Sequence, residues 1–163
     1  MEETFQKQPQ HVPRLGSTGS RLLTGDSEYT RSLEDKLAKY HNSPAALLAN
    51  SGYDANLAVL STLTMNNLVL MDELCHNSQQ MGIRLSRNCE VKQFQHNNIK
   101  DFERLLKGTS NISPGRHCVI VIETVYSMDG DIAPVVELFD VALRYNACVI
   151  VDEAHGLGVF GGE

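Results

Sequence analysis

Residues 147–155 read Ala-Cys-Val-Ile-Val-Asp-Glu-Ala-His, an uncharged apolar run that ends abruptly in two carboxylates and an imidazole. A run this apolar is typical of a strand that is buried on both faces of a parallel sheet. Open α/β sheets bind their ligands beyond the carboxyl ends of the strands. Asp152, Glu153 and His155 are therefore predicted to lie where such a sheet binds its ligand.

The composition is that of a globular protein with a sizeable core. The 163 residues are 42% hydrophobic and 21% charged, which is enough for one domain. The formal net charge of −6 and the lack of a Lys/Arg cluster argue against nucleic-acid binding. No apolar run approaches the ~20 residues of a membrane helix. The N-terminal residues show neither a signal peptide nor a transit peptide, so the sequence predicts a cytoplasmic protein.

The four cysteines show no Cys-x-x-Cys spacing, and two of them lie in apolar, strand-like runs. This pattern favours reduced, mostly buried thiols over disulfides or metal ligands. No metal site is predicted. The cysteines are Cys75, Cys89, Cys118 and Cys148.

Upstream of residue 147, short apolar runs alternate with segments that have helical periodicity. Strands that alternate with helices of ~10–15 residues imply βαβ units. The sequence therefore predicts an α/β fold with a largely parallel sheet and helices on both faces. The predicted strands are residues 45–49, 67–71, 90–94, 118–122 and the run at 147–155, and the predicted helices cover residues 27–41, 54–63, about 78–85, 99–107 and 134–145.

The N-terminal part carries fewer signals. Residues 1–13 are polar and are predicted to form an extended lead-in to a domain over residues 14–163. Residues 16–25 are rich in glycine and hydroxyl groups but lack the Gly-Lys-Ser/Thr ending of a P-loop. The helix over residues 27–41 has one apolar face. Its opposite face is predicted to be solvated and carries Glu28, Arg31, Glu34, Asp35 and Lys39.

Polar side chains follow the predicted strands. Because the carboxyl ends of parallel strands meet at one edge of a sheet, these side chains are expected to gather there. They are Ser51, Asp72, His76, Ser127, Asp152 and His155.

Two nucleotide-binding interpretations of the C-terminal stretch lack residues that they need. Asp-Glu-Ala-His at residues 152–155 is similar to a helicase Walker B segment, but the chain has no Gly-x-x-x-x-Gly-Lys-Ser/Thr motif for the phosphates. Residues 156–161 match Gly-x-Gly-x-x-Gly, but a dinucleotide site also needs a following helix and an acid after the next strand. The sequence stops at Glu163.

A pyridoxal phosphate (PLP) site explains several stretches at once. The cofactor withdraws electrons only while its pyridine nitrogen is protonated, so it needs a carboxylate beside that nitrogen. Asp152 can supply this carboxylate through a charge-assisted hydrogen bond. The phosphate needs backbone N–H groups at the start of a helix, which Ser51-Gly52-Tyr53 can provide.

Several motifs carry a family resemblance, and they run in family order from about residue 14 to the end of the chain. Tyr-Ser-Met-Asp-Gly-Asp at residues 126–131, followed by Val-Asp-Glu-Ala-His-Gly at residues 151–156, is a specific pair that resembles the α-oxoamine synthases. The resemblance implies a fold-type I PLP-dependent transferase. The other matching pieces are Gly19-Ser20-Arg21, Leu33-Glu34, Ser51-Gly52-Tyr53-x-Ala55-Asn56, Asp72-Glu73-Leu74-x-His76-x-Ser78 and Phe94-x-His96-Asn97.

The resemblance also implies site residues. Catalytic roles are implied for three residues. His76 resembles the histidine that stacks on the cofactor ring, and Asp152 resembles the acid at the pyridine nitrogen. His155 resembles the histidine near the phenolic oxygen. Cofactor binding falls on these three residues and on Gly52, Tyr53 and Ser127, while Glu123 stands at an acidic position with a less definite role.

The implied reaction is a decarboxylating Claisen condensation between an amino acid and an acyl-CoA thioester, catalysed by homodimers with sites at the interface. Two departures stand out. Thr30 replaces the histidine of the usual Gly-x-x-x-x-His-x-x-Leu-Glu frame. The family's PLP-binding lysine lies downstream of residues 152–155, and none of the six lysines here stands at that position.

The missing lysine shapes the expectation for the chain as a whole. Residues 14–163 are predicted to be part of a PLP-binding large domain whose C-terminal remainder and small domain are absent. The chain is predicted to be inactive alone. The alternative is a non-catalytic relative that binds the cofactor or a partner.

Overall fold

The computed structural model describes residue 17, residues 19–108 and residues 115–159. They fall into two compact units that divide between Ala49 and Asn50. The lead-in predicted for residues 1–13 lies outside the described residues, as do parts of the loop at residues 16–25 and of the Gly-x-Gly-x-x-Gly match. In the described part of the chain, no helix is long and apolar enough to span a membrane.

The first unit contains helix α1, Glu28–Tyr40, close to the predicted range. Ser27 caps it by accepting a hydrogen bond from the N–H of Thr30 at 3.1 Å. The expectation that Glu34 is solvated was wrong, because its side chain is buried. It accepts hydrogen bonds from Arg21 Nη2 at 2.8 Å and from the N–H of Leu48 at 2.7 Å. These two donors, Arg21 foremost, hold the pKa of Glu34 at about 2.

The predicted strand at residues 45–49 does not form, and the segment has no regular secondary structure. A strand needs a neighbouring strand for its backbone hydrogen bonds. Here the N–H of Leu48 donates to the Glu34 carboxylate instead. The side chain of Leu47 is 82% exposed, so this apolar run is not a core element of the unit.

The second unit is built on a sheet of four strands, all parallel, in the order β2-β1-β3-β4. This confirms the predicted α/β class. The strands are β1 (Leu68–Asp72), β2 (Glu90–Phe94), β3 (Cys118–Glu123) and β4 (Cys148–Asp152), and the helices are α2 (Gly52–Leu63), α3 (Asn77–Leu85), α4 (Ile99–Lys107) and α5 (Val135–Arg144).

Both faces of the sheet are covered, as predicted. Successive side chains of a strand point to opposite faces, so Leu70 and Met71 of β1 belong to different apolar clusters. The cluster around Leu70 contains residues from α4 and α5, including Phe102 and Leu138. The cluster around Met71 contains Leu60 of α2 and Ile83 of α3.

Strand β4 was predicted to be buried on both faces, and this was wrong. Cys148 is exposed and the rest of β4 is only half-buried. The reason is its position at the edge of the sheet, where it pairs with β3 and with no other described strand. The strands that are buried along their whole length are β1 and β3, in the centre.

Helices α2 and α3 approach each other closely at Gly82. A Cβ atom at this position would lie 2.7 Å from the carbonyl oxygen of Asn56 and 2.9 Å from the Cβ of Leu60. Both distances are too short for a real side chain, so the contact depends on glycine. This close approach places the side chains of α2 next to the start of α3.

Candidate functional site

An open cavity lies at the carboxyl edge of the sheet, between the start of α2 and the loops that follow β1, β3 and β4. All six of the residues proposed from the sequence as cofactor ligands line it. Two other residues expected at this edge, Ser51 and Asp72, make other contacts. The lining residues are Gly52, Tyr53, Asn56, His76, Ser78, Glu123, Ser127, Asp152, Ala154 and His155.

Asp152 ends strand β4 and stands in register beside Glu123 of β3. Its Oδ1 accepts a hydrogen bond from the N–H of Ala154 at 2.9 Å. Its Oδ2 accepts from Asn56 Nδ2 at 2.8 Å and from Gln79 Nε2 at 3.4 Å. The carboxylate is thus held in one orientation by neutral donors, and none of these donors neutralises its charge.

His76 caps the start of α3 with its ring. Its Nδ1 lies 3.2 Å from the backbone nitrogen of Ser78 and 2.7 Å from the Ser78 hydroxyl oxygen. Its own N–H donates to Glu123 Oε1 at 2.6 Å. The ring of Tyr53 stands edge-on to the imidazole, with the ring centroids 6.4 Å apart.

Glu123 anchors the loop that carries His76. Its side chain is buried at the end of β3. Burial raises the pKa of this carboxyl above its usual value, and the nearby charge of Asp152 raises it further. The acidic position noted in the sequence therefore holds the backbone of His76 in place.

The start of α2 offers backbone donors to the same cavity. The Ser51 hydroxyl oxygen accepts from the N–H of Asp54 at 3.0 Å. Gly52 and Tyr53 are the first two residues of α2, so their N–H groups have no intrahelical acceptor. A Cβ atom at Gly52 would meet nothing within 4 Å, so the backbone borders open space. Such a helix start attracts anions.

Ser127 and His155 reach the cavity from the loops after β3 and β4. Their side chains make no hydrogen bond to any described residue, so both can meet a ligand. Among residues 17, 19–108 and 115–159, no cluster of three His, Cys, Asp or Glu side chains is arranged to bind a metal ion.

Sequence reasoning missed three residues that hold Asp152 and His76 in place. Asn56 follows Gly52 by one helical turn and Ser78 follows His76 by two residues, and both stand in the motifs quoted above. Helical spacing was the signal that could have found Asn56. Gln79 carried no comparable signal, because its contact with Asp152 depends on how α3 packs against the sheet.

Asp72 belongs to a separate cluster around His96. His96 Nδ1 lies 2.8 Å from Asp72 Oδ1, and Nε2 lies 2.5 Å from Asp131 Oδ2. The N–H of Asn97 donates to Asp72 Oδ2 at 2.9 Å. While both carboxyls are ionised they only accept hydrogen bonds, so both ring nitrogens then donate and this geometry favours an imidazolium. This His96 cluster joins the end of β1 to the loops after β2 and β3.

The His96 cluster predicts a loss of stability at alkaline pH. Burial opposes the charge, but the hydrogen bonds to Asp72 and Asp131 outweigh it and raise the pKa of His96 above its usual value. Stability from a raised pKa is complete below the unfolded value of about 6.5 and is lost as pH rises through the folded pKa. We expect the free energy of unfolding to fall by roughly 1.5–3 kcal/mol, typical of a hydrogen bond to a charged group.

Urea unfolding of the wild type and of His96→Gln, from about pH 6 to about pH 9, measures this effect. Other titrating groups act on both proteins, so the difference between the two curves isolates His96. The difference should shrink as pH rises. Parallel curves over this range would show that the imidazolium contributes nothing.

Comparisons with known proteins cover almost the whole chain. The family model described as aminotransferase class I and II matches residues 1–163. The 8-amino-7-oxononanoate synthase of Emericella nidulans is 43% identical over 165 residues, which cover 93% of this chain and 40% of that protein. The 5-aminolevulinate synthase of Bradyrhizobium diazoefficiens is 43% identical over 149 residues, or 90% of this chain and 36% of that one.

Solved structures agree. A serine palmitoyltransferase variant from S. paucimobilis, determined with bound PLP and myriocin, superposes with a TM-score of 0.82 at 35% identity. The match covers 90% of this chain and 37% of that one. This confirms the fold-type I architecture implied by the motifs. The chain spans about two-fifths of the length of the curated relatives that it matches.

Proposed function

Because the chain belongs to the aminotransferase class I and II family, and within it to the α-oxoamine synthases, we propose that its cavity binds PLP for acyl transfer from an acyl-CoA thioester to an amino acid. One observation carries this proposal. Asp152, His76 and the start of α2 are far apart in the sequence, yet they line the same cavity.

The residues present fit this cofactor. The Asp152 carboxylate receives only neutral donors, so its charge remains available to a protonated pyridine nitrogen. The N–H groups of Gly52 and Tyr53 can hold a phosphate at the start of α2. The His76 ring, fixed by its contacts with Ser78, lines the same cavity.

When bound, PLP supplies an electron sink for the α-carbon of the amino acid. In the proposed site Asp152 keeps a proton on the pyridine nitrogen. His76 would pack against the cofactor ring and restrict its position. Ser127 and His155 would supply hydrogen bonds near its phenolic oxygen. Lys36, Lys39, Lys92, Lys100 and Lys107 do not line the cavity, so a lysine downstream of residue 155 remains a prediction.

Within the family we propose 8-amino-7-oxononanoate synthase, the activity named for several relatives. In that product the carbon that bears the amino group also bears a terminal methyl, as in alanine, so alanine is the proposed amino acid. Glycine C-acetyltransferase, 5-aminolevulinate synthase and serine palmitoyltransferase would instead take glycine or serine. We also propose that the whole protein is a homodimer in biotin biosynthesis.

A chimera tests the proposed reaction. Residues 1–163 would replace the matching part of the Emericella nidulans synthase, which supplies the remainder of the fold. With PLP and acyl-CoA, the chimera should release coenzyme A with alanine and much more slowly with glycine or serine. The intact fungal synthase is the control. A folded chimera that binds PLP but releases no coenzyme A with any of the three amino acids would contradict the proposal.

Thr30 favours a second candidate function. It stands where the family usually has histidine, and its hydroxyl oxygen lies 2.8 Å from that of Ser27 at the start of α1. Threonine has no imidazole with which to transfer a proton near neutral pH. A non-catalytic protein that binds the cofactor or a partner would explain this change. PLP binding by the chain together with an inactive chimera would support it.

A further inference from the structure

A chain of hydrogen bonds joins the carboxylate of Asp152 to the ring of His76, and no hydrogen bond joins the two side chains directly. Asp152 Oδ2 lies 2.8 Å from Asn56 Nδ2. The same nitrogen lies 2.9 Å from the hydroxyl oxygen of Ser78. That oxygen lies 2.7 Å from His76 Nδ1. We call these four side chains the Asn56–Ser78 relay.

The direction of every hydrogen bond in the relay follows from the carboxylate of Asp152 at one end. A carboxylate only accepts, so the Asn56 atom that faces Asp152 is the amide nitrogen, which has two hydrogens. One hydrogen goes to Asp152 and the other to the Ser78 oxygen. The single hydrogen of the Ser78 hydroxyl is then free to point at His76 Nδ1.

The ring therefore has its acceptor at Nδ1. The backbone N–H of Ser78 also donates to this nitrogen, at 3.2 Å. A neutral imidazole has one donor and one acceptor nitrogen, so two donors at Nδ1 place the ring proton on Nε2. Nε2 has no hydrogen-bond partner among the described residues, and it is left to donate to a ligand in the cavity.

Burial of Ser78 favours one arrangement of the hydrogen bonds in the relay. Ser78 is 1% exposed, so water cannot easily replace its contacts. Gly82, one turn further along α3, allows the close approach of α2 that brings Asn56 within reach. An unsatisfied buried hydroxyl or amide is unfavourable by about 1–3 kcal/mol, which favours this single arrangement.

We propose that Asn56 and Ser78 are positioning residues. Asp152 sets the direction of their hydrogen bonds, and these bonds place the proton of the neutral His76 ring on Nε2. The cavity thereby presents a negative acceptor at Asp152 and a neutral donor at His76. That these groups meet PLP rests on the function proposed above. The placement of the proton does not depend on any ligand.

Nitrogen NMR of the ligand-free 163-residue chain, labelled with ¹⁵N-histidine, tests this placement. His76→Gln identifies the signals of His76. In the wild type, Nε2 should appear as the protonated nitrogen and Nδ1 as the bare one. A proton on Nδ1 would overturn the proposal.

Three variants test the relay itself. Ser78→Ala should lower the ratio of Nε2–H to Nδ1–H forms by roughly two- to tenfold, the effect of one net hydrogen bond. Ser78→Thr keeps the hydroxyl and should restore the ratio. Asp152→Asn should also lower it, because an amide at residue 152 allows Asn56 to reverse. Ser61→Ala, which removes an α2 hydroxyl that donates to Ala58, is the control.

The relay is contradicted if Ser78→Ala and Asp152→Asn both fold, as shown by their amide spectra, and both keep the wild-type ratio. If Ser78→Ala does not fold, Asp152→Asn decides alone, since it leaves α3 intact. Titration with PLP separates the two proposals. A chain with the expected ring proton that does not bind PLP would remove the proposed function and leave the relay standing.

Discussion

Asp152→Ala is expected to lower turnover of the chimera by at least about 10²–10³-fold, the range for removing a group that stabilises charge in a transition state. In the proposed site this carboxylate is the partner of the pyridine nitrogen. Asn56, Gln79 and Ala154 hold it in place but supply no negative charge of their own. None of these three donors can therefore replace it.

Two further variants make the Asp152 result specific. Asp152→Asn keeps the shape and should be nearly as inactive, because the negative charge is lost. Glu153→Gln is the matched control, since this neighbouring acid is exposed and does not line the cavity. Steady-state release of coenzyme A measures all three. Near-normal turnover of Asp152→Ala would remove Asp152 from its assigned role.

Phe102→Ala is expected to lower the free energy of unfolding by about 3–5 kcal/mol, which is a large part of the stability of a small domain. Phe102 lies in α4 and is fully buried. Its ring packs against that of Phe94 with the centroids 5.1 Å apart, beside Leu106 and Leu138. Truncation would leave a cavity in the centre of this cluster.

Urea unfolding measures the effect, with Phe139→Ala as the control. Phe139 is 44% exposed on α5, so its truncation should have a much smaller effect. Similar losses for the two variants would mean that the Phe102 cluster is not the core of this face. An unchanged unfolding midpoint for Phe102→Ala would contradict the assignment directly.

Much of the second unit could be predicted from local patterns. The ranges of β2 and α4 agree with the prediction residue for residue, because turn and cap residues such as Asn98 mark their ends. The place of β4 in the sheet could not be predicted. Its apolar run indicates a strand, but the order of strands depends on which edges pair, and that is a long-range property.

The errors in the first unit have a similar cause. Residues 45–49 are as apolar as a strand, but no neighbour pairs with them in the described part of the chain. Glu34 lies on the polar face of α1 and looks solvated in the sequence. It is buried because Arg21, which precedes the helix in the chain, packs against it and donates hydrogen bonds to its carboxylate. Helical periodicity contains no information about such a partner.

The site shows the same division. The parallel topology was sufficient to gather His76, Ser127 and Asp152, because each follows a strand. Asp72 also ends a strand, but its side chain meets His96 and Asn97 instead of the cavity. Such choices depend on the direction of each side chain at the strand end, and this follows from packing.

The central claim is that Asp152, His76 and the start of α2 form one PLP-binding cavity. Titration of the ¹⁵N-labelled chain with pyridoxal 5′-phosphate tests it most directly. We predict saturable shifts of the amides of Gly52, Tyr53 and Ala154 and of the His76 ring, which weaken strongly in Asp152→Ala. Saturable shifts confined to other residues, or equal shifts in the wild type and in Asp152→Ala, would contradict it.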